Sequence, residues 1–445
     1  MTVPIGDEVP LRWPAIFRLG AVQAALGAVV VLVTSTLNRV MVVEYALPAL
    51  LPGVLVALHY AVQLVRPRFG FDSDRGGRRT PWIIGGMAVL AAGGVLCSIA
   101  TVLLHIQEAL GLVLAVAGYA MVGVGVGAAG TSLLVLMAKR VDDRRRAAAA
   151  TIMWIMMIAG FAVTSALVGR FLDPFSPRRL IEVVSVAAAI AFATALAAVW
   201  NVEPAGGPAI TRAAPRAADR RISFAAALDR VWCDSPTRTF TFFVFVSMLA
   251  YSAQELLLEP FSGLVFGYTL GASAKLSGFW HGAALIGMIG VGLLCSGRRR
   301  LGSLRRWTVG GCCASAAALA SMGLGAIVGP DWPLRLSVLA LGVSNGVFAV
   351  SAIGSMMELA HDGDTGNAGV RMGLWGAAQA IAFAIGGVFS TAIVDTFRWL
   401  FGSPAAAFAV VFCLEALLFL AAAGLAVRAR SGSRIPSPTS SALIA

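Results

Sequence analysis

The chain has 445 residues, of which 58% are hydrophobic and 13% charged, with a mean hydropathy of +0.84. Such a composition excludes an ordinary soluble domain. The 34 Lys and Arg outnumber the 22 Asp and Glu, and only Lys139 and Lys275 are lysines. Where those arginines fall matters more than how many there are.

In chain order, the amino terminus (1–17) carries Asp7 and Glu8 and has no small-residue cleavage pattern, so it does not read as a cleavable signal. Long apolar runs follow, each near the roughly 20 residues that span a bilayer as a helix. Leu19–Leu37, Tyr45–Val65, Pro81–Gln107 and Ala109–Leu136 carry no charge, and Ala147–Gly169 and Val183–Val202 complete a first set of six. A Pro/Gly/Ala/Arg-rich linker at 203–238 cannot build a core of its own. The second set is Thr239–Tyr268, Leu276–Gly297, Trp307–Pro330, Leu336–Met357, Met372–Val394 and Pro404–Val427. A Ser/Pro-rich tail at 428–445 closes the chain. Backbone groups in lipid must be satisfied internally, and these runs are too long for barrel strands. The expected fold is therefore an all-α membrane protein of twelve transmembrane helices, in two six-helix bundles at 18–202 and 239–427.

With the even-numbered connections and both termini in the cytoplasm, all Lys and Arg lie inside except Arg39, Arg170, Arg178, Arg179, Lys275, Arg335 and Arg398. This asymmetry sets the expected orientation and makes the basicity a topology signal. It argues against a nucleic-acid partner and leaves membrane lipid as the surroundings.

Between the second and third runs lies Gly70-Phe71-Asp72-Ser73-Asp74-Arg75-Gly76-Gly77-Arg78-Arg79. Gly70 and Gly77 permit a tight reversal, Asp74 can cap a helix start, and Arg75, Arg78 and Arg79 hold the loop in the cytoplasm. This spacing resembles the signature loop of the major facilitator superfamily. Its counterpart after the eighth run, residues 297–306, keeps the basic character and loses the acid. Two such bundles related by an axis along the membrane normal would hold a binding site between them near mid-membrane.

Ionisable groups inside a bilayer are functional candidates, because an unpaired charge there costs at least ~2.5–3.5 kcal/mol. Asn38, Arg39 and Glu44 stand at the outer end of helix one, and Gln254, Glu255 and Glu259 at a similar depth in helix seven. Two readings stay open: a charge pair of Arg39 with Glu255 or Glu259 that closes the outer mouth, or separate solvated helix ends. His59 and His281 occupy nearly matching places in helices two and eight, and a neutral imidazole suits a metal such as the magnesium of a chlorin, or serves as a hydrogen-bonded core residue. His105 and His361 sit at helix ends, and Glu358 and Glu415 have no evident partner. The fourth run is uncharged and the fifth lacks a Gly-Pro pair, which weakens a proton-coupled transporter reading. The six cysteines have no metal-ligand spacing, so no free metal is expected.

Several segments carry a more specific likeness: Arg18-Leu19-Gly20 through Leu37-Asn38-Arg39-Val40-Met41, Leu47-Pro48-Ala49-Leu50-Leu51-Pro52-Gly53, Leu58-His59-Tyr60, and Arg79-Thr80-Pro81-Trp82-Ile83-Ile84-Gly85. Gln254 through Phe261 and Gly278-Phe279-Trp280-His281-Gly282 add to it in the second half. Over most of 18–425 the chain resembles the PucC/LhaA family, the bacteriochlorophyll-delivery branch of that superfamily. The resemblance implies an assembly factor, not an enzyme, for light-harvesting antenna complexes in a bacterial photosynthetic inner membrane. It further implies bacteriochlorophyll as cargo, for whose magnesium His59 and His281 are the candidate ligands among the residues singled out above. The implied partners are antenna polypeptides and a bacteriochlorophyll synthase. A secondary transporter of a small amphipathic solute is the alternative. A pigment-synthesis enzyme would need paired Asp motifs, and Asp72/Asp74 and Asp142/Asp143 lack their spacing.

Overall fold

The computed structural model describes residues 13–65, 78–141, 145–203, 232–296, 302–361 and 368–428. Among the described residues there are twelve helices and no strand. The first six are α1 (Trp13–Glu44), α2 (Leu50–Val62, prolonged by a 3-10 turn to Val65), α3 (Thr80–Ile106), α4 (Glu108–Arg140), α5 (Arg146–Phe171) and α6 (Pro177–Val199). The last six are α7 (Ser235–Phe266), α8 (Leu270–Ser296), α9 (Leu304–Val328), α10 (Leu334–His361), α11 (Ala368–Phe401) and α12 (Pro404–Arg428). Eleven are long and apolar enough to cross a membrane, and α2 is a shorter apolar helix. The protein is a multi-pass membrane protein with the expected architecture.

Several boundaries differ from those read in the sequence, and three of them bear on the site. Helix α1 does not stop at Leu37 but runs on to Glu44, carrying Asn38 and Arg39 inside it. It does so through two π-helical stretches, Leu32–Thr36 and Val40–Glu44. Helix α2 begins at Leu50, not Tyr45, because Ala46 takes a positive φ of 52° and Pro48 disfavours helical backbone at Leu47. Helix α7 begins at Ser235, inside the expected linker. Asp234 takes the cap position with Thr237 Oγ1 donating to its carboxylate at 2.5 Å, and Pro236 fits the first turn, where no N–H is needed.

Within the first half α1 packs on α5 and α6, and α3 on α4 and α6; within the second, α7 packs on α11 and α12, and α9 on α10 and α12. The halves meet along α1 with α7, α2 with α11, and α5 with α8. The α2–α11 crossing is close: a Cβ on Gly53 would stand 2.2 Å from Thr391 Oγ1. Small residues allow such approach where helices associate by van der Waals contact.

Candidate functional site

The residues singled out on α1 and α7 come together, but not in the pairing expected. Pro260 lies inside α7 and has no N–H, so the Leu256 carbonyl one turn earlier loses its helical partner. Asn38 supplies the missing donor, its Nδ2 bonding Leu256 O across the two halves. One turn before Asn38 on α1, Thr34 Oγ1 donates to Glu255 Oε1 at 2.9 Å and Ser35 Oγ to Glu259 Oε1 at 2.8 Å. Thr34 and Ser35 belong to the first π-helical stretch, and Tyr119 of α4 donates to the Val33 carbonyl within it at 3.1 Å. π-turns of this kind recur at functional sites, since the wider turn re-aims side chains.

Arg39 is 1% exposed and is neither a solvated helix end nor directly paired with Glu255 or Glu259. Its Nη1 bonds Glu44 Oε1 at 2.5 Å on its own helix, its Nη2 donates to Tyr268 O at 2.7 Å, and its Nε donates to Ser273 Oγ at 3.1 Å. Ser273 also accepts from Ser262 Oγ at 2.8 Å. Gly263 makes room for this guanidinium, because a Cβ there would sit 3.1 Å from Nη2. Arg39 does join the halves, by donating to α8 and to the α7–α8 connection. The charge itself is balanced locally by Glu44, five residues on. Gln254 faces away from α1 and accepts from Asn345 Nδ2 of α10 at 2.6 Å.

Two further carboxylates, missed in the sequence, clamp the same end. Asp173 at the end of α5 accepts from Thr269 Oγ1 at 2.7 Å and Gly271 N at 2.9 Å, at the start of α8. Asp395 of α11 accepts from Ala49 N at 3.0 Å and Leu50 N at 2.7 Å, at the start of α2. Each half thus caps a helix of the other, as pseudo-symmetry would place them. Nearby, Tyr45 stacks on His105 with ring centroids 4.8 Å apart. Burial and the adjacent Glu44 carboxylate push the Tyr45 phenol above its usual value.

The two histidines differ. In His59 the Nε2 lies 2.7 Å from Gln63 Nε2, so the amide donates and occupies that lone pair. In His281 the Nδ1 lies 2.9 Å from Ser277 O, which fixes it as the N–H, and the buried Nε2 has no hydrogen-bond partner. A backbone carbonyl that orients one nitrogen and leaves the other's lone pair available is the arrangement of a metal-ligating imidazole. The ring is 1% exposed, flanked by Trp280 at 4.6 Å and Phe161 at 5.0 Å, so it lies in the α5–α8 contact and not on an open lipid-facing side.

Of the signature loop, Gly70, Asp74, Arg75 and Gly77 lie outside the described residues, as do the Asp72/Asp74 and Asp142/Asp143 pairs. Arg78 and Arg79 are placed by Glu203, just past α6. Its Oε2 accepts from the N–H groups of Arg79 and Thr80 and from Thr80 Oγ1, each at 2.8 Å, and Arg78 donates to its carbonyl at 3.3 Å. A carboxylate on the first free N–H groups of α3 is a favourable cap and meets the positive end of the helix dipole.

The family model described as PUCC protein matches residues 36–432. This chain belongs to the PUCC family. It is 50% identical over 432 residues to the "Bacteriochlorophyll synthase 44.5 kDa chain" of Rhodobacter capsulatus, covering 96% of this chain and 98% of that one. It is 26% identical to Protein PucC of the same species, over 95% and 93% of the two chains. Among solved structures, the nucleoside transporter NupG superposes with a TM-score of 0.68 at 12% identity, covering 93% of this chain and 98% of that one. At that identity the likeness concerns fold alone: this PUCC protein has the architecture of the major facilitator transporters.

Proposed function

We propose that this PUCC protein is an assembly factor for light-harvesting antenna complexes, which binds bacteriochlorophyll and delivers it to antenna polypeptides. Family membership and the pigment named in its 50%-identical relative support the setting. The observation that carries the pigment reading is the His281 Nε2, buried, unpartnered and aligned by Ser277 O. A chlorin magnesium takes a neutral imidazole lone pair, which that nitrogen presents and which His59 spends on Gln63. The same reading places the protein in a photosynthetic inner membrane with both termini cytoplasmic. A bacteriochlorophyll synthase then acts as its partner, the reaction belonging to that enzyme.

The protein purified in mild detergent from pigment-producing cells should carry a bacteriochlorophyll absorption band. His281→Leu should reduce bound pigment at least tenfold, and His59→Leu should leave it near the parent's level. Equal pigment in H281L and the parent would end the His281 assignment, and absence of pigment from the parent would end the carrier reading. A second reading, a transporter of a small amphipathic solute, is favoured by Glu255 and Glu259 standing buried between two halves of transporter architecture. It predicts solute uptake into vesicles that is lost in E259Q.

A further inference from the structure

Glu415 lies in α12, away from the α1–α7 contact and from His281. It is 3% exposed, and the polar group that reaches its carboxyl is the uncharged amide of Gln254, with no counter-charge beside it among the described residues. A polar chain runs beside it through the second bundle. Ser315 of α9 donates to Asn345 Oδ1 at 2.8 Å, and Asn345 of α10 donates to Gln254 Oε1 at 2.6 Å. Gln254 of α7 is the neighbour of Glu415. Four helices thus bring polar groups to one place in an otherwise apolar core, where Phe412 and Phe419 are fully buried on either side of Glu415 along α12.

The charged and titratable groups on the helices packed against α12 do not neutralise it. On α7, Arg238 lies in the first turn, Tyr251 stacks on Trp280, and Glu255 and Glu259 bond to Thr34 and Ser35 of α1. On α11, Arg371 pairs with Asp234, Asp395 caps α2, and Arg398 lies in the last turn. On α9, Arg305 and Arg306 sit in the first turn, and the remaining titratable groups are the thiols of Cys312 and Cys313. An ionised carboxylate needs a counter-charge or several donors when it leaves water, and none of these supplies one.

We propose that Glu415 is a proton-binding site of the second bundle, which holds its proton as the neutral acid in this conformation and exchanges it with water. The exchange breaks only the carboxyl O–H bond, and the proton passes to a water oxygen. The amides of Gln254 and Asn345 suit a neutral acid, since they offer hydrogen-bonding groups without charge. The inference is independent of the pigment reading.

Infrared spectroscopy of the full chain in lipid nanodiscs tests it. At neutral pH in sodium-free buffer the parent should show the carbonyl stretch of a protonated carboxyl, shifted downward in D2O. Glu415→Gln should remove that band while Glu255→Gln retains it. An unchanged band in E415Q would overturn the proposal, and so would a band that vanishes when sodium is added, which would make the site a cation site. Should E415Q fail to fold, Gln254→Leu keeps the acid, strips its amide neighbour and should move the band to higher frequency. A band that stays in place in Q254L would equally overturn it.

Discussion

Asn38 and Pro260 act as a pair: the proline withdraws a backbone N–H from α7, and the asparagine returns a donor from α1. Asn38→Leu should strand the Leu256 carbonyl and cost about 1–3 kcal/mol, the usual penalty for a buried unsatisfied polar group. Adding Pro260→Ala should recover most of that loss, because the helix then satisfies its own carbonyl. Thermal unfolding in one detergent reads both, and a double variant no more stable than N38L would show that Asn38 matters for another reason. Arg39 belongs to the same scale. Removing one partner of a buried ion pair costs about 3–5 kcal/mol when the other is left buried. Glu44 keeps 27% of its side chain exposed, so R39A should fall below that range.

At the scale of elements, Asp173 and Asp395 reciprocally hold helix starts of the opposite half, adding to the cap that Thr269 gives α8 through Ala272 N and supplying the one that α2 lacks. The cap position of α2 is Ala49, which has no side-chain acceptor to offer. Replacing either aspartate by Ala should cost about 0.5–2 kcal/mol, as for other N-cap losses. Because each bond also ties one half to the other, D173A/D395A should loosen the end where Tyr45 lies. In a background without native cysteines, Val43→Cys should then react faster with a membrane-impermeant maleimide than it does in the parent. Unchanged labelling would show that these caps stabilise their helices without closing the mouth. Glu203→Gln should act only within the first half, weakening the start of α3 by a similar amount.

For the molecule as a whole, hydrogen bonds between the halves gather at the Tyr45 end, through Thr34, Ser35, Asn38, Arg39, Asp173 and Asp395. The polar contacts described near Arg78 and Asp234 stay within one half each. Among the described residues, the halves are thus zipped at that end by uncharged donors on carboxylates, by Asn38 on a carbonyl and by the Arg39 guanidinium, the uncharged contacts worth about 0.6 kcal/mol apiece between membrane helices. On the proposed function, the protein should co-purify with antenna polypeptides from pigment-producing membranes. Arg78→Ala should lower antenna content several-fold while the variant remains inserted. Normal antenna content with normal amounts of R78A would remove the loop from the delivery step.

The apolar runs determined the helix count, the two-part order and the membrane setting by themselves, because length and uninterrupted hydropathy are local properties that a bilayer reads directly. Asn38, Arg39, Glu255 and Glu259 stood out for the same reason: polar groups in an apolar run are visible without knowing what they touch. Their partners were not legible. The two open readings of Arg39, a pair with a carboxylate on α7 or a solvated helix end, were both set aside by the packing: Thr34 and Ser35 of the first π-turn take those carboxylates, and Arg39 is buried against Glu44. Asp173, Glu203 and Asp395 were not singled out, since a cap supplied from another helix leaves no sequence pattern near the helix it caps. His59 and His281 looked equivalent by position. Only the packed structure separates them, because whether an imidazole lone pair is free depends on Gln63 one turn away in one case and on a backbone carbonyl in the other.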